Sequence, residues 1–561
     1  MHRYFERALA NITRYGDTDI FPFPIESHVF YDKQSETISL LMDYYSEFAQ
    51  RLANSSPANI NALVPIGYTG FRSATQIDPI WNAFFLGLVL SISDDIERAR
   101  LPKQDNIVFS YRLNDDSNSP DLFDQNYNWR SFMEASLGHA SNSKFVVTCD
   151  ISEFYPRLNH HRLDNALRQL RIRGDQPKKI MDFLSNYSGT YSFGLPVGGP
   201  AARILSELLL NQIDRLLRAE GIRFSRFADD FHLYANSYEE AFKALLFLSE
   251  KLLDNQGLQL QKAKTRIMSG QEFIATSPLH LDRTDSPAGD RSGAPNSDAP
   301  DLNGAGSEAP AVASAPNLEE QSQNLLRLSV RFDPYSPTAE ADYELLKDEV
   351  GKIDLIPLLR AELLKSRVHI SLSKKIVAAI RYINDPQRGQ AILSLIEKAE
   401  LLYPVYANVL FTAKSLYDDL SANIQEGIIG HVRTLLKTES HVLQTELHLC
   451  YAVRLLSCSP GPENEEVLNK IYRQTNSLLV RRDIILAMAK WGAAYWLSNL
   501  KTEFRTISRP ERRAFIVASY ILIDEGKHWR QHIAPELFPL EILIRDWASE
   551  KIQIPNWTVP L

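Results

Sequence analysis

The sequence predicts an α+β half followed by an all-α half, and three observations carry that reading. Short β-branched runs stand before residue 280: KFVVTCD (Lys144 to Asp150) reads as a buried strand, and SRFADDFHLYA (Ser225 to Ala235) as two short strands joined through Ala-Asp-Asp. From residue 323 onward the pattern is helix upon helix, with Ile376, Ile380 and Ile383 on one face and Ile484, Ile485 and Met488 on another. Between the halves runs RTDSPAGDRSGAPNSDAPDLNGAGSEAPAVASAPNLEE, too poor in apolar side chains to offset the entropy of ordering. The expected domains are residues 1–280, a flexible linker over 281–322 and a helical domain over 323–561.

The 561 residues exceed what one hydrophobic core organises, and 44% hydrophobic with 23% charged residues is an ordinary water-soluble balance. The three cysteines, Cys149, Cys450 and Cys458, include no CxxC pair, which excludes a disulfide framework and argues against structural zinc. MHRYFERALANITRYG lacks the apolar stretch of a signal peptide, and no apolar run approaches bilayer length. A cytoplasmic protein with no membrane partner is expected. The net charge of -8 argues against non-specific coating of duplex DNA. One basic stretch, from Arg157 through Arg162, Arg168, Arg171, Arg173, Lys178 and Lys179, reads equally as a solvated helix face or as a nucleic-acid track.

The helical half contains an internal echo. Arg481-Arg482-Asp483-Ile484-Ile485-Leu486-Ala487 recurs as Arg512-Arg513-Ala514-Phe515-Ile516-Val517-Ala518, with a looser copy near Thr445. Spacing of roughly 30 to 40 residues with paired helices predicts a HEAT-like solenoid.

The chemistry concentrates in the first half. Nucleotidyl transfer by two metal ions needs carboxylates gathered on rigid backbone, so that both ions clamp the attacking and leaving oxygens. Asp150 ends one predicted strand, and Asp229 and Asp230 sit at a predicted hairpin tip about eighty residues later. Singly, a strand-end Asp is a cap and an Asp-Asp pair is a turn. Strand-Asp, helix, Gly-rich turn opening a helix, then hairpin-Asp-Asp is the layout of a polymerase palm.

With Val146-Val147-Thr148-Cys149-Asp150-Ile151-Ser152-Glu153-Phe154-Tyr155, Gly194-Leu195-Pro196-Val197-Gly198-Gly199-Pro200 and Phe227-Ala228-Asp229-Asp230, the chain resembles the reverse-transcriptase family in motifs A, B and the YxDD box. Gly257-Leu258 with Lys264-Thr265 resembles motif D, and Tyr111-Arg112-Leu113 the fingers segment that supplies a basic contact to the triphosphate. The resemblance covers roughly residues 60 to 275 and implies a reverse-transcriptase fingers-palm domain. It implies that Asp150, Asp229 and Asp230 are catalytic and hold Mg2+ (Mn2+ as a substitute) together with the Ile151 carbonyl, a hard oxygen shell. It further implies that Tyr155 excludes a 2′-hydroxyl and so selects dNTPs, that Lys264 lies near the leaving pyrophosphate, and that Arg112, Gly198, Gly199 and Phe227 contact nucleotide or template. Two departures stand out: Val197 replaces the usual Gln of motif B and Phe227 the usual Tyr of the hairpin box. Loss of that amide points toward weak template dependence.

No second nuclease constellation is visible. A reverse-transcriptase half followed by helical repeats resembles the bacterial abortive-infection and defence-associated reverse transcriptases, in which self-association is common and some members extend DNA from a tyrosine of their own chain. QIDPIWNAFFLGLVLSI followed by VFSYRL carries the same look. That resemblance implies antiphage defence, a homo-oligomer, and a DNA product attached through a tyrosine, with Tyr403, Tyr406, Tyr417, Tyr451, Tyr472, Tyr495 and Tyr520 as candidates. The alternative is a retron-like or retroelement enzyme copying a dedicated RNA template or non-coding RNA.

Overall fold

In the computed structural model, residues 1–277 apart from 117 and residues 350–561 apart from 385 are described, with 318, 321, 322, 325, 347 and 348 described singly between them. The expected linker, 281–322, lies outside the described residues apart from 318, 321 and 322.

Two antiparallel sheets organise the first half. A hairpin pairs β1 (Ile60–Pro65) with β2 (Phe71–Gln76). The second sheet has the order β4-β5-β3-β6, built from β3 (Phe145–Asp150), β4 (Arg223–Phe227), β5 (Asp230–Ala235) and β6 (Arg266–Ser269). The β-branched run at Val146 and Val147 suits β3 to one of the two interior places, and both side chains are fully enclosed. The register sets Asp150 opposite Asp230 and closes the β4-β5 hairpin at Phe227 and Asp230.

Helices cover this sheet and join it to the hairpin. They are α1 (Ile25–Asp32), α2 (Pro79–Leu90), α3 (Trp129–Ser141), α4 (His160–Gln169), α5 (Gln176–Ser188), α6 (Pro200–Ala219) and α7 (Tyr238–Gln256). Every residue of α2, PIWNAFFLGLVL, is buried, so this helix is the axis of the core. Asn128 begins α3 with a capping box, and Pro200 occupies the first turn of α6, where its missing N–H is no loss. Ser237 accepts from the Glu240 N–H to start α7, and Gly257 at φ 70° ends it.

In the second half, α8 (Tyr406–Ser415), α9 (Glu446–Leu456), α10 (Leu478–Lys490), α11 (Arg509–Ala518) and α12 (Pro539–Lys551) pack each on the next, their starts about 30 to 40 residues apart. The echoed Arg-Arg pairs explain the spacing. The first arginine of each pair bonds a glutamate early in the following helix: Arg481 Nε to Glu511 at 2.7 Å, Arg512 Nε to Glu541 at 2.8 Å. The second turns toward the α+β half: Arg482 donates to the Gln76 side chain at 3.2 Å, and Arg513 to Glu26 at 3.2 Å and Asp78 at 2.8 Å. Arg454 reaches the Phe23 carbonyl, Tyr68 at the β1-β2 turn donates to the Leu401 carbonyl, and Trp547 donates to Asp32. Among the described residues no helix is long and apolar enough to cross a membrane, and the three cysteines are free thiols.

Glu26 and Asp78 are each 1% exposed, so Arg513 neutralises two carboxylates removed from water. Removing one partner of such a cluster strands the others at a cost of about 3–5 kcal/mol. Arg513→Ala is therefore expected to lower unfolding free energy by that amount in urea titration. Arg505→Ala, which breaks an exposed, solvent-screened pair with Glu536, is expected to leave the urea midpoint unchanged. Equal midpoints for the two variants would refute the clamp.

Candidate active site

Three carboxylates meet where β3 ends and the β4-β5 hairpin turns. Asp150 is the last residue of β3, Asp230 faces it across the ladder, and the Asp229 carbonyl accepts the Ile151 N–H at 3.1 Å. Burial, then repulsion from Asp150, pushes the Asp229 carboxyl up to about 6. Burial, then repulsion from Asp229 and Asp150, pushes Asp230 up to about 7. The Gln261 N–H takes the Asp150 carbonyl, whereas the Ile151 carbonyl accepts none of the loop hydrogen bonds around it.

The turn that presents Asp229 is strained and anchored. Ala228 sits at φ 53°, a left-handed conformation that costs a non-glycine residue about 1–2 kcal/mol. Its carbonyl is held by Arg226 Nη1 at 2.9 Å. Arg226 is fully buried and also binds Asp214 at 2.7 and 2.8 Å and Glu207 at 2.8 Å, both on α6. Glu207 in turn accepts from Arg100 at 2.7 Å and Ser110 at 2.6 Å. Burial alone would raise the Glu207 carboxyl, yet the two arginines outweigh it and hold it below its ordinary value.

One cation faces the carboxylates. Lys264 Nζ stands 2.9 Å from Asp150, and that hydrogen bond holds the ammonium above its ordinary pKa. Among the described residues no three acidic, histidine or cysteine side chains stand together in ligating geometry. Asp150, Asp229 and Asp230 thus stand near one another without a coordinating arrangement, and the Lys264 ammonium pairs with Asp150. The donor set, all carboxylate and carbonyl oxygen, suits a hard divalent ion once Lys264 withdraws.

An aromatic wall lines one side. Tyr155 packs on Phe154 with ring centroids 5.0 Å apart, and its hydroxyl lies near Tyr111 and Ser206 without reaching hydrogen-bond geometry with either. Tyr111, itself at φ 48°, lies 6.1 Å from Phe227 and carries the Arg203 guanidinium over its ring at 5.5 Å. Gly198, at φ 121°, has a different neighbour from the expected one. A Cβ there would stand 2.5 Å from Thr18 Oγ1, so the close approach it permits is to the N-terminal segment of the same chain. A Cβ on Gly199 would stand 3.6 Å from the Asp17 carbonyl oxygen.

The expectation for Arg112 is corrected. Its side chain is fully buried and its guanidinium is committed to Glu97 and to the Val108 and Leu101 carbonyls, so it does not face the carboxylates. The nearby cation with an exposed face is Arg203, one turn into α6 and paired with Asp19 at 2.8 Å. Sequence reading missed Arg203, Arg226 and Glu207. A signal existed: Glu207 and Asp214 fall seven residues apart on the apolar face of α6, where charge needs a buried partner.

The raised carboxyls have a measurable consequence. Folded Asp229 and Asp230 keep protons that an unfolded chain releases near 3.8, so stability falls as pH rises from about 4 to about 7. A divalent ion bound by the charged forms offsets that loss. Magnesium is expected to raise the melting temperature at pH 8 and to leave it unchanged at pH 5. An equal rise at both would place the ion elsewhere.

Residues 105–294 match the family model described as reverse transcriptase (RNA-dependent DNA polymerase). Among curated proteins, the retron Ec86 reverse transcriptase of Escherichia coli is 24% identical over 129 residues, which is 22% of this chain and 38% of that one. Overlapping solved structures include telomerase from Candida albicans with a fragment of telomeric RNA, at 12% identity and TM-score 0.27, covering 72% of this chain and 68% of that chain. Apo telomerase from Candida tropicalis overlaps at 11% identity and TM-score 0.28, covering 72% of each. The matched stretch includes Asp150, Asp229, Asp230 and Lys264, and the chain carries a reverse transcriptase domain over residues 105–294.

Proposed function

We propose that this chain is a DNA polymerase that joins dNTPs by two-metal nucleotidyl transfer, with RNA as template. The convergence of Asp150, Asp229 and Asp230 where β3 ends at the β4-β5 turn, balanced by Lys264, carries the reading. Asp150 and Asp229 would hold both ions, with Asp230 and the Ile151 carbonyl completing the shell; Mg2+ is the proposed ion and Mn2+ a substitute. When bound, the ions lower the pKa of the attacking hydroxyl and neutralise charge developing on the phosphate. Lys264 would release Asp150 on metal binding and turn its ammonium to the departing pyrophosphate. The Tyr155 ring would close the space a 2′-hydroxyl needs, while Phe227 backs Tyr111 behind the sugar. Gly198 and Gly199 keep the loop after Val197 tight against Thr18 and Asp17, beside the template path.

The five stacked helices and their Arg-Glu rungs support a HEAT-like repeat domain from residue 323 onward, joined by the linker of 281–322 to a fingers-palm domain of 1–280. That pairing supports a role in antiphage defence, acting in the cytoplasm as a homo-oligomer, with weak template dependence from Val197. Protein priming would draw on Tyr495, which is 82% exposed, because Tyr406, Tyr417 and Tyr472 are buried, Tyr403 and Tyr451 are half-buried, and Tyr520 donates to the Arg545 carbonyl. A retron-like enzyme copying a dedicated RNA is the second reading, favoured by the Escherichia coli relative.

Asp150→Asn and Asp229→Asn are each expected to cut dNTP incorporation by about a hundredfold or more, with an unchanged circular dichroism spectrum. Near-normal incorporation by either would refute the metal assignment. Tyr155→Ala is expected to admit ribonucleotides. Purified protein given magnesium and labelled dNTPs without primer discriminates the two readings. Label that migrates with the protein until proteolysis supports the defence reading, and incorporation only after a structured RNA is added supports the retron-like one.

A further inference from the structure

Beside Tyr155 lies a groove that the chemistry above does not use. It is bounded by α4, α5 and the turn of residues 189–193, and encloses about 790 Å³. Most charges around it are already paired: Arg168 with Asp164, Lys179 with Asp175, and Arg157 with Glu153. Arg171 and Lys178 line the groove exposed, without an ion partner among the described residues, and Arg173 stands exposed next to them. Against them the lining offers one acid outside those pairs, Asp182. In a chain of net charge -8 this is a local cationic surface.

The Tyr191 ring closes its end, with the Phe193 ring packed against it. Tyr191 is 63% and Phe193 46% exposed, with centroids 5.3 Å apart, so neither packs as core. The backbone ties this step to the active site. The His160 N–H donates to the Ser192 carbonyl at 2.9 Å, Gly194 to Leu158 at 2.8 Å, and Leu195 to Tyr155 at 2.9 Å.

We propose that this groove binds a single strand of RNA, the unpaired template leading to Tyr155. Cations with free N–H groups suit a phosphate backbone, and exposed rings beside them suit unstacked bases, which a duplex keeps hidden. An apolar peptide would leave the cations without counter-charge. RNA is the strand because the matched domain belongs to RNA-dependent DNA polymerases. The assignment rests on the polymerase reading for the choice of RNA and for what the strand is used for; the binding of a single strand rests on the groove itself.

The test is fluorescence anisotropy of a labelled uridine oligonucleotide on the full chain without dNTPs, across a salt series, beside oligo(dT) and duplex RNA. Arg171→Gln with Lys178→Gln is expected to weaken oligo(U) binding about tenfold or more and to flatten the logarithmic salt slope by about 0.7 per charge removed. Tyr191→Ala with Phe193→Ala is expected to weaken it by about tenfold or more with the slope unchanged. All four side chains are exposed or at the groove wall, so an unchanged melting temperature accompanies both. Wild-type affinity in either pair, duplex bound as tightly as single strand, or preference for oligo(dT) overturns the proposal. Primer extension on the same preparations separates the two readings: binding that depends on these residues without any dNTP incorporation would keep the groove and remove the polymerase.

Discussion

The guanidinium of Arg226 is fully enclosed, and its partners tie a strand, a helix and a turn to one point. Asp214 and Glu207 belong to the long helix α6, while the Ala228 carbonyl belongs to the hairpin that presents Asp229. Through Glu207 the same cluster extends to Arg100 and Ser110, and through Glu97 to Arg112. Buried ion clusters of this kind add little net stability over apolar packing. What they add here is position. An apolar side chain in place of Arg226 could fill the space but could not hold the carbonyl of a turn whose φ is already unfavourable. The strain at Ala228 persists because this charge network over-determines it.

The helical half bears on the same region from the other side. Within each Arg-Arg pair the labour is divided: one arginine links successive helices and the other reaches the α+β half. Gln76, which receives Arg482, also donates to buried Asp17, whose carboxyl burial pushes up to about 7. The Asp17 carbonyl and the Thr18 side chain lie against Gly199 and Gly198, and the Thr75 N–H holds the Val197 carbonyl at 3.3 Å. A continuous set of contacts therefore runs from the helical half to the glycine loop.

The elements that carry Asp150 and Asp229 were legible because strand periodicity and hairpin chemistry are local properties. The Arg-Arg repeat was legible for a related reason: both copies solve one packing problem, so they keep one pattern. Arg112 was not legible. Whether an arginine in a loop points outward or inward depends on where Glu97 and the Leu101 carbonyl come to rest, and no spacing within Tyr111-Arg112-Leu113 encodes that. The family resemblance gives Gly198 a nucleotide or template as its neighbour, yet the residue against it is Thr18, 180 residues away in the chain. Contacts of that range are set by tertiary packing, which is also why the partners of Arg226 escaped notice although its charge in a buried strand was visible.

The clamp of Arg513 on Glu26 joins residues 487 positions apart. At ribosomal rates of roughly 5–20 residues per second, the acid is made about 25–100 seconds before the base that neutralises it. During that interval Glu26 and Asp78 lack their counter-charge, and the α+β half has no reason to close around them. Final setting of the α+β half must then wait until the helix that carries Arg513 has emerged from the ribosome.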